Sequence, residues 1–201
     1  MRSIDSLTLE VADTAAAEHF YKAAFGLDGP LRFRASEEPT SGFRGYSMSV
    51  IVDRPATAKA FLDAALAAGA TSIKPAAKSL WGYGGVVQAP DGAIWKVVTP
   101  HKKEDGPDTG TIDQLVLLLG VADVKATKQF YVDRGFEVER SFGRKYAEFK
   151  AGPDSITLGL YGRRALAKDA GVDGAGTGSH RLVINSDAGS FTDLDGFSGE
   201  S

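Results

Sequence analysis

The sequence predicts an α+β fold built from two related modules in tandem, and three observations carry that expectation. Short segments recur in the same order at offsets between 104 and 110 residues. Each copy opens on a half-buried strand, passes through a helix and continues into several short strands. Glycine supplies 24 of the 201 residues, about 12% against the roughly 7% of average usage. With 43% hydrophobic residues the chain still has material for a core, so the glycine excess reads as turns between strands rather than as disorder.

The repeat is visible residue by residue. Ile4-Asp5-Ser6-Leu7 is echoed by Ile112-Asp113-Gln114-Leu115, Val11-Ala12-Asp13 by Val121-Ala122-Asp123, and Phe20-Tyr21 by Phe130-Tyr131. Gly26-Leu27 returns as Gly135-Phe136, and Pro90-Asp91-Gly92 as Leu194-Asp195-Gly196. The first module spans residues 1–100 and the second, shorter one residues 111–201. The polar stretch between them, His101 to Gly110, reads as a linker.

In the first copy, alternation from Ser6 to Val11 places Leu7, Leu9 and Val11 on one face of a strand and Ser6, Thr8 and Glu10 on the other. Asp13 is the expected N-cap of a helix over Thr14 to Phe25, with Ala16, Phe20 and Ala24 on the inner stripe and Gly26 beyond the end. Strands are expected at Leu31 to Ala35 and Tyr46 to Val52. A helix from Pro55 to Ala68 follows, then strands at Gly85 to Gln88 and Ala93 to Thr99 around the Pro90-Asp91-Gly92 turn. The second copy repeats the opening, with Asp123 as cap and Ala126 and Phe130 on the stripe. Strands at Phe136 to Ser141, Lys145 to Lys150 and Ser155 to Tyr161 lead to a short helix near Arg164 to Ala170. A glycine-rich connection or lid (Ala170 to Ser179) and a strand from His180 to Asn185 complete it.

Composition excludes several function classes. A net charge of −3 offers no basic field for a phosphate backbone, so nucleic acid is not expected as a partner. No apolar run is long enough to span a membrane, and the acidic opening MRSIDSLTLEVAD is unlike a signal peptide. Without cysteine there is no thiolate chemistry, and a cytoplasmic location is expected. The glycine-rich loop lacks the Gly-Lys-Ser/Thr ending of a phosphate loop, and no G-x-S-x-G elbow is present.

A hydrophobic strand followed by Val11-Ala12-Asp13, the run Phe20-Tyr21 through Gly26, the loop Trp81-Gly82-Tyr83-Gly84-Gly85 and the closing Pro90-Asp91-Gly92-Ala93-Ile94-Trp95 together resemble the vicinal oxygen chelate superfamily. Its members include glyoxalase I, extradiol dioxygenases and the fosfomycin and bleomycin resistance proteins. The resemblance implies tandem βαβββ modules whose curled mixed sheets enclose a cleft. It also implies ligand positions for a divalent metal on the first and last strands of each module. Carried over, these are Ser6 and Lys96 in the first copy and Gln114 and Glu200 in the second. A serine hydroxyl is a poor donor, and an ammonium has no lone pair until it loses its proton. Glu200 stands where the expected preceding tryptophan is Gly199. His19, His101 and His180 show no local zinc spacing. No metal cofactor is therefore expected.

The expected ligand-binding residues are Ser6, Thr8, Glu10, Trp81, Tyr83, Lys96 and Gln114, with Lys96 and Glu200 the candidates for any catalytic role. Lys96 is expected either to pair with Glu10 or Glu200 in place of the metal, or to hold an anionic or carbonyl oxygen of a ligand. Trp81 and Tyr83 either stack on a planar ligand or, for Trp81, plug the end of the sheet. Phe43, Tyr46, Phe142, Tyr146 and Tyr161 are further aromatic candidates, while Arg144, Arg163 and Arg164 read as solvated. The expected function is metal-free binding of a small aromatic or amphipathic molecule, of sequestration or resistance type. The alternative is a glyoxalase-type lyase or isomerase, with or without a divalent metal. The protein is expected as a monomer with paired modules or as a homodimer.

Overall fold

The computed structural model describes residues 2–80, 82–104 and 106–201. The first half runs β1 (Ile4–Val11), α1 (Thr14–Phe25), β2 (Leu31–Ala35), β3 (Thr40–Gly42), β4 (Tyr46–Ile51), α2 (Pro55–Ala67), β5 (Thr71–Ser79), β6 (Gly82–Gln88) and β7 (Ile94–Thr99). The second runs β8 (Gln114–Val121), α3 (Val124–Val132), β9 (Val138–Ser141), β10 (Tyr146–Phe149), β11 (Thr157–Gly162), α4 (Arg163–Ala170), β12 (Gly176–Gly178), β13 (Leu182–Ser186), β14 (Phe191–Thr192) and β15 (Ser198–Glu200).

The helix ends follow from local chemistry. Asp13 accepts the N–H of Ala16 at 3.0 Å, and Asp123 accepts those of Lys125 and Ala126 at 2.9 and 3.1 Å, so both predicted caps satisfy donors that the first turn leaves free. Of the expected stripe residues, Phe20 and Ala24 are buried and Phe130 packs against the core, whereas the alanine that starts each stripe is not buried. Ala16 and Ala126 face outward, and α1 buries Ala17, Phe20, Tyr21, Ala24 and Phe25 while α3 buries Val124, Thr127 and Tyr131.

A buried tyrosine widens the inner face of each helix. Tyr21 donates to Asp91 at 2.7 Å and accepts from the Trp95 indole at 3.2 Å, fastening α1 to the turn before β7. Tyr131 donates to Asp193 at 3.1 Å in the second half. Burial above all, and then the facing carboxylate, push both phenols well above their ordinary range, so they stay neutral donors.

The strands form two main sheets. One has the order β14-β15-β13-β1-β2 and the other β5-β6-β7-β4-β8-β11-β10-β9; β3 and β12 make a separate two-stranded ribbon. Both main sheets cross the linker. β4 pairs antiparallel with β8, and β1 pairs antiparallel with β13. Within the eight-stranded sheet, β4-α2-β5-β6-β7 and β8-α3-β9-β10-β11 each run strand, helix, three strands. One apolar core joins the inward faces of both sheets to α1, α2 and α3.

The glycine-rich connection after α4 is not a free lid in this structure. Gly176 pairs with Gly42 where β12 meets β3, and a Cβ on either would sit 2.2–2.4 Å from a backbone carbonyl oxygen of the other strand. Arg163 is structural rather than solvated: its guanidinium donates to the carbonyls of Phe43 and Gly174 at 2.5 and 3.1 Å.

Candidate functional site

Alternation along the central strands divides the eight-stranded sheet cleanly. Met48, Val50, Trp95, Val97, Leu117 and Leu158 point into the main core. Ser49, Lys96, Val98, Gln114, Val116 and Leu118 point to the opposite face. Helix α4 lies across that face, burying Leu166, Ala167 and Ala170 against Val86, Ile94, Val116 and Leu118. Beside it opens a cavity of about 600 Å³.

The cavity has an apolar floor and charged rims. Strand register sets Lys96 beside Ser49, Ser49 opposite Val116, and Val116 beside Thr157. On β7, beside the floor, Lys96 Nζ meets Asp169 Oδ2 of α4 at 2.7 Å, with the two side chains 29% and 45% exposed. A pair so open to water contributes only about 0–1 kcal/mol. Asp169 is also poorly placed for its helix, since the last turn carries the negative end of the macrodipole. Lys74 relieves that end by donating to the carbonyls of Lys168 and Asp169 at 3.2 and 2.6 Å.

The β10 rim carries a second cluster. Glu148, 12% exposed, pairs with Arg140 at 2.7 Å and accepts from the Tyr146 hydroxyl. The Tyr146 and Tyr161 rings lie 4.8 Å apart and form an aromatic shelf, with exposed Phe142 stacked outside Tyr146. Burial, then the hydrogen bond to Glu148, raise the Tyr146 phenol. Burial, then the charges of Asp169 and Glu148, raise that of Tyr161. Tyr161 and both carboxylates line the one cavity.

The sequence candidates separate into two groups. Tyr83, Lys96 and Gln114 line the cavity, where Gln114 donates to Thr157 at 2.7 Å. Trp81 lies outside the described residues. Ser6, Thr8, Glu10 and Glu200 belong instead to the five-stranded sheet and do not share a cleft with Lys96. There Asn185 donates to Ser6 and Thr8 at 3.1 and 2.9 Å, and Arg34 bridges Glu200 at 2.7 Å and Glu10 at 3.7 Å. The physical reason lies in the strand pairing: within the first half β7 lies against β4, not β1, so Ser49 holds the place expected of Ser6, while β1 pairs across the linker with β13 in the other sheet. For the same reason Lys96 pairs with Asp169, not with Glu10 or Glu200, and the two catalytic candidates form no acid–base couple. Phe43 and Tyr46 are core residues. Sequence reading passed over Asp169, Arg140 and Glu148; a charged residue alternating with Tyr146 and Phe149 was the available signal for the last.

No protein-family model and no curated protein matches the chain. Among solved structures it is similar to glyoxalase I from Zea mays, with a TM-score of 0.65 at 13% identity over 99% of this chain and 91% of that one. A mutant of that maize enzyme gives a TM-score of 0.61 at 15% identity over the same shares. A glyoxalase/bleomycin resistance protein/dioxygenase family enzyme from Burkholderia phytofirmans PsJN matches 46% of this chain and 94% of its own, at 21% identity and a TM-score of 0.43. The chain has the vicinal oxygen chelate fold.

The resemblance read from the sequence implies a divalent metal between the first and last strands, and the side chains at the centre of the eight-stranded sheet are a poor donor set for one. Lys96 brings a positive charge to that centre, its neighbours are the Ser49 hydroxyl and the Val116 side chain, and Gln114 is bonded to Thr157. Among the described residues no group of three or more His, Asp or Glu side chains is arranged to hold a metal. In the five-stranded sheet the charge has the opposite sign: Glu200 lies beside Asn185 as Lys96 lies beside Ser49, and Arg34 pairs with it. Phe191 covers Gly199 there, packing on Tyr131 as Trp95 packs on Tyr21.

Proposed function

We propose that the protein binds a small aromatic or amphipathic molecule in the cavity beside α4, with no divalent metal, as a sequestering or resistance-type binder. The observation that carries this reading is the cavity itself. At about 600 Å³ it has the size of ordinary small-molecule sites, and its floor of Val98, Val116 and Leu118 is apolar while its polar groups stand at the rims. Tyr146 and Tyr161 offer ring faces to a planar body, and Tyr83 offers a third from β6.

The test is a binding screen of small aromatic compounds by calorimetry, repeated on two variants whose folding is verified by thermal unfolding. Ser49→Phe fills the floor and is expected to abolish binding. Tyr161→Ala removes one stacking face and is expected to weaken it by about five- to tenfold, the equivalent of an aromatic contact. Unchanged binding in both variants overturns the assignment of the cavity.

A further inference from the structure

Resting on the binding reading above, we infer that the ligand is a planar aromatic acid, and that Asp169 holds Lys96 as an internal stand-in for the ligand's acidic group until the ligand displaces it.

Four features of the cavity converge on this. The protein carries a net charge of −3, yet among the described lining residues Lys74, Lys78, Lys96 and Arg140 outnumber the carboxylates Glu148 and Asp169. An acidic ligand is thus drawn to a local positive field on an otherwise negative molecule. Second, Lys96 stands at the centre of the sheet beside the apolar floor, with its ammonium turned to a carboxylate oxygen at 2.7 Å. The contact has the geometry that a ligand carboxylate would adopt. Third, Asp169 is a weak holder of that place. It is about half exposed, it sits in the unfavourable last turn of α4, and its backbone is secured separately by Lys74, so the side chain can swing into solvent without unseating the helix. Fourth, Tyr161 of β11 lines the same cavity as Lys96 and Asp169, one strand nearer to them than Tyr146 of β10, so an aromatic body held at Lys96 extends over the floor toward its ring.

The Glu148–Arg140 pair on the far rim plays a different part. β7 and β10 stand four strand spacings apart, about 19 Å. A small aromatic acid bound through Lys96 covers the floor without reaching Arg140, which remains with Glu148.

The experiment compares 2-naphthoate with its neutral isostere 2-naphthamide by calorimetry on the wild type, Asp169→Asn and Lys96→Met, with thermal unfolding as a check that all three fold. The expected results are tighter binding of the acid than of the amide by the wild type, and a further gain of about two- to fivefold for the acid alone in Asp169→Asn, since an exposed internal competitor is removed. Lys96→Met is expected to erase the preference for the acid while keeping affinity for the amide. Equal affinity for acid and amide in the wild type, or no gain for the acid in Asp169→Asn, overturns the inference and leaves the cavity as a binder of neutral aromatics. Binding of neither probe overturns the functional reading as well.

Discussion

Asp123 shows how much a single capping side chain does in this fold. The backbone N–H groups of Ala126 and then Lys125 hold its carboxyl below the ordinary value of 3.8, because they bond the charged form. A carboxyl depressed in the folded state stabilises fully above its unfolded value, and that stabilisation is lost as pH falls through the folded value. Asp123→Ala is therefore expected to lower Tm by roughly 2–4 °C at neutral pH, and the deficit is expected to shrink as the pH is taken below 4. Thermal melts of both proteins across that range check it; a deficit that persists in acid would assign the effect to packing. Both N-caps were legible in the sequence because capping is local chemistry. The bond from Tyr131 to Asp193 was not, since the repeat aligns Asp91 with Asp195 and only the folded turn shows which carboxylate receives the phenol.

At the scale of elements, α4 is the piece that turns an open sheet face into a cavity. Its Leu166 is fully buried against strands whose other faces already belong to the main core. Leu166→Ala is expected to forfeit about 2–5 kcal/mol of packing. Since α4 touches only the outer face of the sheet, the loss is expected to appear first as local opening. Amide hydrogen exchange in residues 163–171 should quicken while β8 remains protected; equal acceleration in both would mean that α4 is integral to the main folding unit. The helices and central strands were readable because their apolar periods are strong. β5 was missed for a physical reason: it is an edge strand with polar and small residues on both sides, and lysines such as Lys74 and Lys78 guard it from further pairing. β14 and β15 are too short to carry a period at all.

For the whole molecule, the pairing of halves across the linker governs stability. Fragments 1–105 and 106–201 each contain strands whose neighbours lie in the other fragment, including β4 without β8 and β1 without β13. Neither fragment is expected to unfold cooperatively alone, and mixing them is expected to restore a single thermal transition. Circular dichroism melts of the separate and mixed fragments decide it, and a cooperative melt from either fragment alone would show an independent domain. The repeat told of two related halves, and the alternation assigned the faces of Lys96 and Ser6 correctly. Which strand lies beside which is a long-range property that no local pattern encodes, so Ser6 and Glu200 fell on a different sheet from Lys96.

That interleaving also bears on how the chain is made. The eight-stranded sheet can close once β11 has emerged from the ribosome, but β1 must wait for β13, about 170 residues behind it. At about 5–20 residues per second, β1 spends on the order of ten to thirty seconds with β2 as its one sheet neighbour and its other edge unpaired. During synthesis, the first strand to be made is among the last to be sealed, ahead of β13, which waits in turn for β15.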